Sequence, residues 1–278
     1  MRPFTWLAPD TTAEAVALLR EHGTGARVIA GGQSLLLAMK ERTAGPSHLV
    51  SLAGITGLAG ATTEPDGALV VGAATTYAAL TRAALPGWHG VLSDVAGDLA
   101  DRPVRNRGTI GGALCAADPR FDVPALAVGV DAVLRISGAA GDRTLPAAEF
   151  LRGNGITAIG QDEILTAVVL PPLPTWDAVV FEKFRHRVFD AAIVSATCAL
   201  RRGAGGTPAA VRVTVAGATA TPVVLDVDAA ATGADTGDVA AASFHPDATD
   251  EPTRYRRELV RTLVRRSVDR AHSQQGSA

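Results

Sequence analysis

The stretch A-R-V-I-A-G-G-Q-S-L-L-L-A-M-K, residues 26–40, decides the fold. Residues 26–30 have the composition of a short buried strand, and the residues from Ser34 onward have that of a helix or an apolar turn. Between them lie Gly31 and Gly32, where a ligand can approach the main chain closely because no Cβ is present. We expect a strand-to-turn arc whose N–H groups suit an anion such as a diphosphate, with further hydrogen bonds from Gln33 and Ser34. A tight turn without a ligand is the alternative for one such motif taken alone.

A second small-residue turn occurs at R-N-R-G-T-I-G-G, residues 105–112. Thr109 supplies a hydroxyl, and Gly111 and Gly112 again lack side chains. Amides of two convergent turns can hold both phosphates of a dinucleotide. Neither turn is a Rossmann or P-loop site, because no G-x-G-x-x-G follows the first strand and no G-K-[ST] occurs. The two turns therefore predict a non-Rossmann dinucleotide site.

Helix and strand signals alternate along the chain, and its 278 residues favour two domains. Thr11 and Glu14 predict a capping box for a helix that stops at Gly23. The prolines of P-P-L-P, residues 171–174, end helices and ladders alike and mark the domain boundary. We expect strands at 48–52, 68–72, 131–136, 192–200, 210–215 and 223–227, helices at 77–85, 91–99 and about 255–268, and a polar loop rich in Gly and Ala at 229–242.

Composition excludes several classes of function. The formal charge of −2 and the pI near 6.3 give no reason to expect nucleic acid binding. Cys115 and Cys198 are far apart and neither has a C-x-x-C neighbour, so four thiolates for an iron–sulfur cluster are not available. The histidines lack paired spacing, and we expect no metal site. No apolar run reaches the ~20 residues of a membrane span, and the first residues do not read as a secretory signal, so we expect a cytoplasmic protein.

The motifs together resemble those of one family. Segments 30–36 and 105–112, A-D-P at 117–119 with Asp122, and segments 216–223 and 255–266 are similar to the FAD-binding medium subunit of molybdenum hydroxylases, the group of carbon monoxide dehydrogenase and xanthine dehydrogenase. The resemblance implies an α+β fold: a two-part, non-Rossmann FAD-binding domain of PCMH/VAO-like type and a smaller C-terminal α/β domain with a short antiparallel sheet. The corresponding domains are residues 1–172, with subdomains of about 1–55 and 56–172, and residues 173–278.

The resemblance also implies cofactor contacts and partners. The two turns would line the pyrophosphate and ribityl chain, Asp122 would hydrogen-bond ribityl hydroxyls, Leu165 would pack near the flavin and Lys183 would face the isoalloxazine. The implied FAD-binding residues are Ala30, Gly31, Gly32, Gln33, Ser34, Leu35, Thr109, Ile110, Gly111, Gly112, Ala113, Asp122, Leu165 and Lys183. A [2Fe–2S] small subunit and a molybdopterin large subunit would be the partners, and FAD would deliver electrons to an external acceptor.

Lysine usage supports one of these assignments independently. Of 26 cationic residues only Lys40 and Lys183 are lysine, and a compact ammonium beside the flavin can favour its reduced, anionic form. For Lys40, chance placement is the better interpretation. We expect the cluster of Arg185, His186 and Arg187 with Asp190 to lie near the flavin entrance.

Two other functions stay open at this point. One is a free-standing FAD-dependent dehydrogenase or oxidase that acts directly on a small molecule, with room over the flavin provided by Ala116 and Ala191. The other is a scaffold whose glycine turns bind nothing and whose Arg-rich final helix serves assembly. Copurifying subunits would favour the electron-transfer subunit, and a colourless protein that FAD does not reconstitute would favour the scaffold.

Overall fold

The computed structural model describes residues 1–225, 227–244 and 250–274. Within this part of the chain the strands are β1 Thr5–Leu7, β2 Ala26–Ile29, β3 His48–Ser51, β4 Ala61–Thr63, β5 Leu69–Gly72, β6 Val133–Gly138, β7 Gly141–Pro146, β8 Leu151–Gly153, β9 Ile156–Thr157, β10 Glu163–Leu170, β11 Ala178–Phe184, β12 Val194–Arg202, β13 Pro208–Ala216 and β14 Val223–Leu225. The helices are α1 Thr12–His22, α2 Leu35–Lys40, α3 Tyr77–Arg82, α4 Gly90–Gly97, α5 Arg102–Arg107, α6 Ile110–Ala116, α7 Asp122–Gly129, α8 Ala147–Phe150, α9 Gly233–Ser243 and α10 Glu251–Ser273.

The N-terminal layer is a parallel three-stranded sheet in the order β1-β3-β2, with α1 packed against it. Helix α1 begins as predicted, because the hydroxyl of Thr11 accepts from the amide of Glu14 at 3.1 Å, and it ends at Gly23 with φ of +50°. The second half of the predicted capping box differs, because the carboxylate of Glu14 accepts from the amide of Asp10 and not from that of Thr11. Strand β2 runs into the Gly31–Gly32 turn, and α2 follows directly.

A second, antiparallel sheet has the order β4-β5-β10-β6-β7 and supports the main core. Helices α3, α4, α6 and α7 contribute buried side chains to the same core, among them Leu80, Leu92, Leu114 and Leu126. The register between β10 and β6 shifts between Leu165 and Ala167, which marks a β-bulge.

The C-terminal part is an antiparallel four-stranded sheet, β11-β12-β13-β14, covered by α9 and α10. Helix α10 confirms the predicted final helix and turns Val260, Leu263, Val264 and Val268 into the core. Strand β14 ends at Leu225; Asp226, within the strand predicted at 223–227, lies outside the described residues.

The predicted loop at 229–242 is wrong for most of its length, because residues from Gly233 onward form α9. A capping box starts this helix: Thr232 accepts from the amide of Asp235, and the Asp235 carboxylate accepts from the Thr232 amide. A Cβ on Gly237 would come within 2.8 Å of the Arg261 carbonyl, so the small residues let α9 approach α10 closely. The Gly-rich composition that suggested a loop therefore serves helix packing.

The prolines at 171–174 follow the end of β10, as predicted, and Leu173–Thr175 form a 3₁₀ turn. Two side chains fix this turn: the Trp88 indole donates to the Leu173 carbonyl at 3.0 Å, and the His89 Nε2 atom lies 2.8 Å from the Pro171 carbonyl. In the described residues, no helix combines the length and apolar character needed to cross a membrane.

Candidate cofactor cleft

One large cleft, of about 810 Å³, lies between the N-terminal layer, helices α3, α5, α6 and α7, and the edge of the C-terminal sheet. This volume falls in the range of about 300–1,000 Å³ that is typical of small-molecule and cofactor sites. The walls are mostly small and apolar residues. Both glycine turns line the cleft, which confirms that they converge on one space.

The first turn presents a run of unused main-chain donors. In the described residues, the amides of residues 31–35 have no hydrogen-bond acceptor; the carbonyls of Gly32 and Ser34 accept from the first turns of α2. Gly32 has φ of +74°, a left-handed conformation that glycine adopts without strain. Five consecutive N–H groups of this turn are therefore free to donate to a ligand, as the predicted anion-binding turn requires.

The second turn differs from the prediction. The amide of Ile110 donates to the Thr75 carbonyl at 3.0 Å, and that of Gly111 donates to the Ala73 carbonyl at 2.9 Å. The amide of Gly112 donates to the Thr109 hydroxyl, which caps α6. The expectation that these three amides face a diphosphate is therefore wrong, because each already has an acceptor within the protein. What the second turn supplies is a wall without bulky side chains.

The two turns also touch each other directly. A Cβ built on Gly31 would overlap the carbonyl group of Arg107 and would lie 3.1 Å from the Cα of Gly108. Gly108 in turn packs against the ring of Tyr77, whose amide donates to the Gly108 carbonyl at 3.0 Å. The glycines at 31 and 108 therefore allow the close contact that forms the base of the cleft.

Asp122 and Lys183 form a buried ion pair at the cleft wall, although 61 residues separate them in sequence. Their side chains are only 3% and 9% exposed. The Lys183 ammonium also donates to the Asp98 carbonyl at 3.0 Å and lies 3.1 Å from the Asp98 carboxylate. The ammonium therefore donates two hydrogen bonds, to the Asp122 carboxylate and to the Asp98 carbonyl, and is also ion-paired with the Asp98 carboxylate.

The second carboxylate oxygen of Asp122, Oδ1, is buried and has no partner in the described residues. Burial raises the pKa of Asp122, although Lys183 acts in the opposite direction. Burial also raises the pKa of Tyr77, with a further contribution from the negative charge of Asp122. A buried acceptor without a donor is costly unless a ligand or water supplies one, so Oδ1 is suited to accept from a ligand hydroxyl.

The structure places the predicted site residues as follows. All of them except Ile110 line the cleft, whereas the Ile110 side chain is 1% exposed and packs in the main core. Ala116, Asp190 and Ala191 line the cleft too, and Lys40 does not. In the described part of the chain, no cluster of three or more His, Cys, Asp or Glu could hold a metal ion.

The sequence did not mark two residues that line the cleft and one that contacts a cleft residue. Tyr77 and Cys115 line the cleft, and Asp98 holds Lys183 from behind. A tyrosine beside a helix start and a single cysteine carry no motif, and the Asp98 contact spans 85 residues. The spacing of Asp98 and Asp101, which caps α5, matches no known motif, so the sequence did not mark Asp98.

These features define the class of the protein: a non-Rossmann dinucleotide-binding protein whose open amides and unpartnered carboxylate oxygen fit FAD. Residues 2–173 match the family described as FAD binding domain in molybdopterin dehydrogenase. The chain is 31% identical to the 6-hydroxypseudooxynicotine dehydrogenase complex subunit alpha of Paenarthrobacter nicotinovorans, over 98% of this chain and 96% of the relative. It is 32% identical to the carbon monoxide dehydrogenase medium chain of Afipia carboxidovorans, over 96% of each.

A solved structure gives the same result. The reconstituted CO dehydrogenase from Oligotropha carboxidovorans contains a chain that superimposes with a TM-score of 0.89 at 32% identity, covering 99% of this chain and 100% of that one. The chain belongs to the FAD-binding medium subunits of the molybdenum hydroxylase family. It is a flavoprotein subunit of an oxidoreductase, with FAD as its cofactor, and the scaffold without a ligand is ruled out.

Proposed function

We propose that the chain is an electron-transfer subunit that holds one FAD in the cleft and passes electrons from a [2Fe–2S] partner to an external acceptor. The observation that carries the proposal is the run of free amides at residues 31–35 beside a cleft of about 810 Å³. Bound FAD supplies the redox chemistry, because it can exchange electrons with both one-electron and two-electron partners. The residues of this chain bind the cofactor, fix its position and tune its electrostatic surroundings.

The proposed roles follow from the donors and acceptors that the protein leaves unused. The amides of residues 31–35 hold the diphosphate. The second turn, at residues 105–112, has no bulky side chains and so lets the ribityl chain of FAD pass close to the main chain. Asp122 accepts a ribityl hydroxyl through Oδ1, since Oδ2 is already paired with Lys183. Leu165 packs near the ring system. Lys183 acts through its charge, since its ammonium already donates to Asp122 and to the Asp98 carbonyl and is ion-paired with both aspartates.

The proposed partners are a small subunit with a [2Fe–2S] cluster and a large molybdopterin subunit. The chain has only two cysteines, Cys115 and Cys198, so it cannot ligate such a cluster alone and needs an outside source of electrons or a direct substrate. The relatives named above are chains of multi-subunit dehydrogenases. A small molecule reacting directly at the flavin is the alternative, because Ala116 and Ala191 leave space in the cleft.

The proposed domain division has its boundary between residues 172 and 173, with a two-part FAD-binding domain of PCMH/VAO-like type before it. Two observations support this division. The family match ends at residue 173, and the core formed by the C-terminal sheet with α9 and α10 contains buried residues from Ala178 onward. The N-terminal layer has a small core around Met39 and most of a second core around Leu19, which also takes in Leu58 and Ile164; the Met39 core supports a separate first subdomain.

Purification from the native host tests the proposal. We expect a yellow complex that contains this chain, two further subunits, and flavin and iron–sulfur absorption. The isolated chain, titrated with FAD and with riboflavin, should bind FAD far more tightly, because riboflavin lacks the diphosphate. A chain that purifies alone and reduces its own flavin with a metabolite would support the free-standing enzyme. Equal affinity for FAD and riboflavin would contradict the role of the amides.

A further inference from the structure

Four charged side chains form one connected group at the cleft wall: Asp98, Asp122, Lys183 and Arg185, here called the charge cluster. Lys183 links the two aspartates, as described above. Arg185 donates through Nη2 to the Asp98 carboxylate at 2.6 Å and through Nη1 to the Asp98 carbonyl at 2.7 Å. Asp98 therefore binds both cations and is the residue through which the outer half of the cluster is held together.

The cluster has an inner and an outer half. Asp122 and Lys183 line the cleft and are almost completely buried. Asp98 is 54% exposed and Arg185 is 19% exposed, and neither lines the cleft. Asp98 is nevertheless close to the site in sequence, because the next two residues, Leu99 and Ala100, are cleft residues. The outer charges thus act on the cleft from behind its wall.

The formal charge of the cluster is zero, because it contains two carboxylates and two cations. The inner pair, Asp122 and Lys183, is neutral by itself, and so is the outer pair, Asp98 and Arg185. Asp98 also holds Lys183. Loss of either outer charge leaves the cluster charged: it becomes net positive without Asp98 and net negative without Arg185. Reduction places negative charge on a flavin, so a positive field favours the reduced form and a negative field opposes it.

We propose that Asp98 is a positioning residue that holds Lys183 and Arg185 and keeps the charge cluster neutral, and that this balance sets the reduction potential of the cofactor in the cleft. The inference rests on the proposed FAD site. It differs from a direct contact between Lys183 and the flavin, because the Lys183 ammonium is already held by oxygens of Asp98 and Asp122. Asp98, which no sequence motif marks, thereby enters the redox function together with Arg185, which the sequence analysis expected near the flavin entrance.

A purely structural role for Asp98 makes a different prediction. The segment after Arg185 contributes Phe189, Asp190 and Ala191 to the cleft, so Asp98 could serve only to anchor this segment. Removal of either Asp98 or Arg185 would then loosen the same contact and change the cofactor site in the same direction. Charge balance instead predicts opposite shifts of the potential. The sign of the shift therefore separates the two roles.

The test is a spectroelectrochemical titration of the full-length, FAD-loaded chain at one fixed pH. We expect a higher midpoint potential for Asp98→Asn, a lower one for Arg185→Gln, and a value near that of the wild type for the double variant. Asp98→Glu, which keeps the charge, should also stay near the wild type. Asp238→Asn breaks an exposed Asp–Arg pair of α9 away from the cleft and should produce no shift.

Separate readouts keep failure of this inference distinct from failure of the proposed function. If the wild-type chain does not bind FAD, the proposed function fails. If it binds FAD, potentials that stay unchanged in both single variants, or that shift in the same direction, overturn the inference. If Asp98→Asn loses FAD, the Arg185 variants test the inference instead. A lower midpoint potential in Arg185→Gln that returns to the wild-type value in Arg185→Lys supports it, and an unchanged potential in Arg185→Gln overturns it. Limited proteolysis of the cofactor-free variants reports whether the 185–191 segment has come loose.

Discussion

The main chain of Gly31 lies directly against the carbonyl group of Arg107, so that no side chain fits between the two turns of the cleft. This contact joins the turn with the free amides to the turn that precedes α6. It places the turn with the free amides at the base of the cleft. Since the neighbour of Gly31 is main chain and not a flexible side chain, the contact cannot be relieved by a rotamer change.

Gly31→Ala should therefore damage both stability and cofactor binding. We expect a loss of about 1–3 kcal/mol in the free energy of unfolding, because the added methyl group forces the two turns apart. FAD retention should fall with it, measured as flavin absorbance per chain after gel filtration. Gly54→Ala is the matched control, because a Cβ there meets only ordinary contacts. Wild-type stability and flavin content in Gly31→Ala would contradict the packing described here.

Removal of the two partners of the buried ion pair should cost unequal amounts of stability. Lys183→Met leaves Asp122 without any ion-pair partner among the described residues, whereas Asp122→Asn leaves Lys183 paired with Asp98. Removal of one partner of a buried pair costs about 3–5 kcal/mol, and we expect Lys183→Met to be the more destabilised variant. Chemical denaturation measures both. Equal or reversed losses would show that Asp98 does not hold Lys183 in the absence of Asp122.

The same pair has a defined pH dependence. Burial raises the pKa of Asp122 above its ordinary value of 3.8, and loss of the Lys183 charge raises it further. A carboxyl with a raised pKa in the folded state favours folding when protonated, and this contribution is lost as pH rises through that pKa. The stability deficit of Lys183→Met should therefore shrink on acidification. A deficit that is constant from pH 7 to pH 4 would count against a buried charge as its cause.

The contribution of Glu163 to the free energy of unfolding should depend on pH in the opposite direction. Arg143 forms two hydrogen bonds of 2.7 Å to its carboxylate and, with the amide of Gly160, holds the pKa of Glu163 below its ordinary value of 4.5. Its stabilisation is present above pH 4.5 and is lost as pH falls through the lowered pKa. Glu163→Gln should be less stable than the wild type at pH 7 and should lose less stability on acidification. Glu149→Gln, at an exposed glutamate of α8, should follow the wild-type curve.

Cys115 offers a chemical probe of cleft occupancy. Its side chain is exposed to the cleft, whereas Cys198 is buried in the C-terminal core. The enclosing walls raise the pKa of Cys115 to about 12, so alkylation at neutral pH should be slow. We expect slow labelling of Cys115 in the FAD-free chain, found by peptide mass spectrometry, and protection by FAD. Labelling at the same rate with FAD bound would place the cofactor elsewhere.

Local sequence signals predicted the elements that local interactions determine. The capping residues Thr11 and Glu14 fixed the start of α1, and the 3.6-residue period of Val260, Val264 and Val268 marked α10. Helix α9 was missed because its stability depends on the approach of Gly233 and Gly237 to α10, which composition does not reveal.

The candidate site shows the same division between local and long-range information. The free amides of residues 31–35 follow from a short local motif, and the sequence predicted them. The amides of Ile110 and Gly111 are bonded to carbonyls of residues 73 and 75, more than thirty positions away, so the prediction for them was wrong. Asp98 lies 85 positions before Lys183, and only the folded chain brings the two together.

A crystal structure of the FAD-loaded chain tests the central claim most directly. We expect diphosphate oxygens within about 2.7–3.2 Å of main-chain nitrogens of residues 31–35, and a ribityl hydroxyl donating to the Asp122 carboxylate. A diphosphate bound away from this arc, with those amides left facing solvent, would contradict it.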